Sequence, residues 1–160
     1  MEQCFAPSAL QLSGEALHIL VAMNPSILPE VVTYLSSRLE EPLPPMDAGT
    51  IARALLRSAR SNGAMIQKVL TFVQNQPDVS VTTDALQELG QIRTRDTQAL
   101  SFIEASLDSP SNYVRKSAVD SVGRLELSIR ANFLTKVTRL ATDPKQPEEI
   151  RSLANAVLKQ

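Results

Sequence analysis

The stretch Leu107-Asp108-Ser109-Pro110-Ser111-Asn112-Tyr113-Val114-Arg115-Lys116-Ser117-Ala118-Val119-Asp120-Ser121-Val122-Gly123-Arg124-Leu125 decides the fold. Its early part, around Pro110, is a turn. Pro110 stops the preceding helix, because it lacks an N–H and disfavours helix at the residue before it. From Val114 the apolar residues fall at i, i+4 and i+8 (Val114, Ala118, Val122), one stripe of a helix. Ala118, in the middle of that stripe, lets another helix approach closely.

The same pattern stands on either side. Upstream by 33 residues, Pro77-Asp78-Val79-Ser80-Val81 is followed by Ala85, Leu86, Leu89, Gly90 and Ile92. Downstream by 36, Ile150, Ala154 and Leu158 take the places of Val114, Ala118 and Val122. A second helix precedes each turn. Ile66, Val69, Leu70 and Val73 lie before Pro77; Leu100, Ile103 and Leu107 before Pro110; Leu134, Val137 and Ala141 before Pro144. Each unit therefore reads as helix, proline turn, helix. The β-branched run Val79 to Thr83 has strand propensity, but its place in the repeat predicts a helix start, with tertiary context overriding propensity.

The N-terminal half repeats less regularly. The spacing predicts helices over 13–23, 29–41 and 47–60, the last with Asp47 as N-cap, and a proline-rich loop from Glu41 to Met46. Nine helices result. Residues 1–12 read as a partly disordered tail and 13–160 as one helical-repeat domain, best defined over 62–160. Leu158 leaves the last helix apolar, so either the chain continues in its natural context or that end docks onto something.

A period of 20 to 50 residues marks a repeat array. One helix pair cannot bury its own apolar stripe, and stacking on its neighbours does so. The tetratricopeptide pattern would need Trp, Gly and Tyr at set places in the first helix, and ankyrin a Thr-Pro-Leu-His-like start; both are missing. Residues 107–125 instead resemble the second-helix signature of HEAT repeats, and Asp143-Pro144 with Ile150-Arg151 and Ala154 resembles a following copy. The resemblance implies an all-α right-handed α-α superhelix, or solenoid. It also implies that the acid near each turn (Asp108, Asp143) and the arginine after the apolar residue (Arg115, Arg151) link neighbouring units. Thr82 stands where the earlier unit's arginine would be.

Composition fits this reading. Hydrophobic residues are 43% and charged residues 21%, as in a folded globular chain; aromatics are 4%, with no Trp. The net charge of −1 provides no global field for nucleic acid or acidic lipid. The longest apolar run, Ile19 to Met23, is far short of a membrane span. Acids rather than bases precede it, which argues against a signal peptide and favours the cytoplasm unless a targeting segment has been removed.

Catalytic sets are missing. His18 is the only histidine and Cys4 the only cysteine; together they make neither a four-ligand metal site nor an oriented nucleophile pair. His18 reads as a core or flank residue. Pro147-Glu148-Glu149 reads as a helix start, with proline at the first helical position and the acids facing the dipole. No cofactor is expected, and the chain does not read as an enzyme.

Arg53, Arg57 and Arg60 share one helix face, read as solvated. At a shift of 34, Arg53 and Arg57 align with Gln87 and Gln91; at a further 33, with Asp120 and Arg124. Resemblance to HEAT arrays implies that second helices line the concave side, which makes this column the expected contact surface. Residues 110–160 carry 9 basic and 5 acidic residues, a net +4, whereas residues 72–109 carry 2 and 6, a net −4. Such alternation suits a protein partner better than a phosphate backbone, which wants one continuous basic track. The expected function is a protein-interaction scaffold or adaptor. The alternative is a nucleic-acid-binding protein resembling HEAT-like DNA glycosylases, with the arginine stripe on phosphates. An enzyme-associated module resembling bilin lyase subunits ranks last.

Overall fold

The structure is a computed structural model, described here for residues 29–59 and 62–160. The predicted first helix, His18, Cys4, the tail and Arg60 lie outside these residues. The described chain is all-helical, with eight helices of nine residues or more and no strand. These are α1 (Pro29–Arg38), α2 (Pro45–Ser58), α3 (Gly63–Gln74), α4 (Val79–Gln91), α5 (Thr97–Ser106), α6 (Asn112–Arg124), α7 (Leu134–Thr142) and α8 (Glu148–Leu158). A one-turn helix, Leu127–Arg130, and a 3₁₀ turn, Ala131–Phe133, lead into α7. No helix among the described residues is long and apolar enough to cross a membrane.

The even-numbered helices pack in sequence, α2 on α4, α4 on α6 and α6 on α8. The odd-numbered helices cover them: α3 packs on α2 and α5, α5 on α6, and α7 on α8. The burial pattern explains the order. Ile51, Ala85, Ala118 and Ala154 recur at intervals of 34, 33 and 36 residues, and all are inaccessible or nearly so. Alanine at the last three of these points lets α4, α6 and α8 come into close contact, while Ile51 fills the equivalent place on α2. Glycine extends the effect. A Cβ on Gly90 would lie 2.9 Å from the Cα of Ser121, and one on Gly123 would lie 2.9 Å from a Val157 methyl.

Local signals place the helix ends. Asp78 caps α4 by accepting from Ser80 N at 2.8 Å, so the β-branched run does enter a helix. Asp96 caps α5 by accepting from Gln98 and Ala99 N, and Asn62 caps α3 through Met65 N. Asp47 is not the N-cap of its helix. Pro45 starts α2 two residues earlier, because its fixed φ is already helical and its missing N–H costs nothing there. Asp47 falls in the first turn instead, facing the positive end of the dipole. Pro147 likewise stands at the cap of α8 rather than inside it.

Candidate interaction face

The even helices carry all six residues of the expected contact column. Arg53 and Arg57 are on α2, Gln87 and Gln91 on α4, Asp120 and Arg124 on α6. Their states differ. Arg57 is not a freely solvated side chain. Its Nε and Nη2 donate to the two carboxylate oxygens of Glu88 at 2.9 and 2.7 Å, a bidentate pair between α2 and α4. Glu88 is only 1% exposed. Arg53 reaches the same carboxylate at 3.8 Å and Asp84 at 4.0 Å. The hydrogen bond to Glu88 pushes the Arg57 guanidinium above its ordinary range, so it stays charged. Burial against α2 pushes the Asp84 carboxyl up, and Arg53 opposes that only in part. The arginines of α2 thus serve packing, because a buried carboxylate needs a cation with several donors.

Further along the column the polar groups are exposed. Gln87 and Gln91 face solvent, and Arg124 Nε donates to Asp120 Oδ2 at 2.9 Å along one helix face. Two open grooves divide the column. The first, of about 510 Å³, lies across α4, α6 and α8 and takes in Gln87, Asp120, Lys116, Val79, Tyr113 and Leu153. Tyr113 is 72% exposed and Val79 44%, so both present apolar surface to solvent. The second, of about 500 Å³, lies where α4 and α6 end. It takes in Gln91 and Arg124 with Arg93 and Arg130. Sequence reasoning overlooked Tyr113, Val79, Arg93 and Arg130. Tyr113 stands one residue ahead of the buried stripe, and a helical wheel would have placed it on the outer edge.

The expected links between units take a modified form. Asp108 accepts from Lys136 Nζ at 2.8 Å and pairs with Arg139, joining the end of α5 to α7. Arg115 Nε donates to Gln146 Oε1 at 3.0 Å, and Gln146 Nε2 donates to Asp143 Oδ2 at 3.2 Å. Arg115 and Asp143 are therefore joined through Gln146, across the turns before α6 and α8. Arg115 Nη1 also donates to the carbonyls of Ser109 and Pro110 and holds its own turn. Arg151 makes no such link; its Nε is buried with no hydrogen-bond partner among the described residues. Lys116 Nζ adds an unforeseen bridge to Glu149 Oε2 at 2.7 Å.

No group of three or more histidine, cysteine or acidic side chains among the described residues could hold a metal ion. No family model matches the chain, and neither a curated protein nor a solved structure does.

Proposed function

We propose that the chain is a protein-interaction module, a scaffold or adaptor built as a HEAT-like right-handed solenoid, with the even-numbered helices on its concave side. The partner lies across α4, α6 and α8. The observation that carries this reading is the first groove, where an exposed tyrosine and valine flank Gln87 and Asp120. Tyrosine is a frequent anchor in protein interfaces, since it buries a large apolar area and keeps a polar tip. The mixed polar rim around it fits a protein partner. The nucleic-acid alternative loses its main support, because Arg57 is bound bidentately and Arg53 leans on the same acid. The test compares wild type with Tyr113→Ala and Val79→Ser in quantitative affinity purification. Both variants should lose the same specific partner at an unchanged melting midpoint. Retention of every specific partner by both variants would contradict the proposal.

A further inference from the structure

We propose that the second groove binds a phosphorylated serine or threonine side chain of a protein partner. The inference rests on the docking reading above and names the chemistry at one end of that face. Three guanidinium groups, from Arg93, Arg124 and Arg130, line the groove, with Gln91 beside them and no acidic residue among its described lining. Arg130 is 9% exposed. Its Nη2 donates to the carbonyls of Gly123 and Leu125 at 2.7 and 3.1 Å, while its Nε and Nη1 have no partner among the described residues. A guanidinium this buried, with no carboxylate paired to it among the described residues, is costly, and an oxyanion in the groove it lines balances its charge.

Arg93 adds an independent observation. Its φ is +50°, and it is the only non-glycine residue with positive φ among those described. Arg93 N donates to Gly90 O and Thr94 N to Leu89 O, the paired bonds that end a helix through a left-handed residue. Glycine is the favoured residue there. An arginine instead accepts backbone strain and places a cation at the groove. Strain of this kind concentrates at binding sites.

The ends of α4 and α6 would ordinarily repel an anion, through their free carbonyls. Here the carbonyls of Leu89, Gly90, Gly123 and Leu125 are already occupied. Nearby acids are engaged as well: Asp120 with Arg124 Nε, and Glu126 with Arg95 at 2.6 Å. A phosphomonoester carries close to two negative charges and three acceptor oxygens, which matches a cluster of arginines better than a single carboxylate does. An isolated cluster without a continuing basic track does not suit a nucleic acid.

The test uses the whole chain and four probes. These are a degenerate peptide pool centred on phosphoserine, the same pool unphosphorylated, inorganic phosphate and a single-stranded oligonucleotide. Arginine Nε–H resonances and fluorescence anisotropy give the readouts. The phosphorylated pool should bind at least about tenfold tighter than the unphosphorylated one and shift the Arg130 Nε resonance. Arg93→Gly and Arg124→Gln should each weaken it by about tenfold. Arg93→Gly should do so with an unchanged or raised melting midpoint, a combination that a purely structural role for Arg93 would not give. Equal binding of the two pools, or retained binding in both variants, would overturn the proposal. So would an unmoved Arg130 resonance, or inorganic phosphate or the oligonucleotide binding as tightly as the phosphorylated pool. An unphosphorylated pool that depends on Tyr113 but not on Arg93 would keep the docking face and remove the phosphate site.

Discussion

Glu88 sits in the seam between α2 and α4 with its two oxygens on Arg57 and a second arginine close by. Such a carboxylate is tolerated only while its cation remains, because an uncompensated buried charge is expensive. Arg57→Glu would set two carboxylates against each other and should cost about 3 kcal/mol. Urea denaturation checks this; a midpoint equal to wild type would contradict the assigned pair. The glycines give a second residue-scale prediction. Gly90→Ala pushes a Cβ into the backbone of Ser121, which cannot yield without moving α6. Gly123→Ala meets only a methyl of Val157. The alanine gains about 1 kcal/mol of helix propensity at either site. Gly123→Ala should therefore be nearly neutral, while Gly90→Ala should lose about 2 kcal/mol net. Thermal melts of the two variants side by side decide it.

At the scale of elements, Asp108 joins the end of α5 to α7. The hydrogen bond from Lys136, with Arg139 assisting against partial burial, holds its carboxyl below the ordinary carboxylate range. A lowered folded value means that the stabilisation is present above the unfolded pKa and is lost as pH falls through the folded one. Between about pH 5 and pH 2 the melting midpoint of Asp108→Asn should thus fall less than that of wild type. An identical fall in both proteins would remove Asp108 from the coupling between these helices. Helix placement was legible in the sequence from Pro77 onward, because proline turns and i, i+4, i+8 stripes are local signals. Side-chain partners across helices were not. Arg57 looks solvated on its own helix, and only the 31-residue step to Glu88 shows otherwise. Gln146 was likewise invisible as the bridge from Arg115 to Asp143, since nothing local distinguishes it from a turn residue.

For the molecule as a whole, the even helices form one continuous run of close contacts, and Ala118 lies at its centre, fully buried. Ala118→Asp would place an unpaired charge between α4, α6 and α8 and should cost about 4 kcal/mol or more. Circular dichroism should show a much lowered midpoint; a change of only a few degrees would refute the packing. The column proposed as a contact surface lies on α2, α4 and α6. Its helices and register were readable from the repeat, while the division into a tyrosine groove and an arginine groove needed the fold. The most direct test of the docking face is photo-crosslinking in cells, with the crosslinking residue at Gln87 or Asp120 on the even helices and at Ser101 on α5 as control. The two even-helix positions should capture one common specific protein that Ser101 does not. Capture from Ser101 alone, or equally from all three positions, would contradict the docking face.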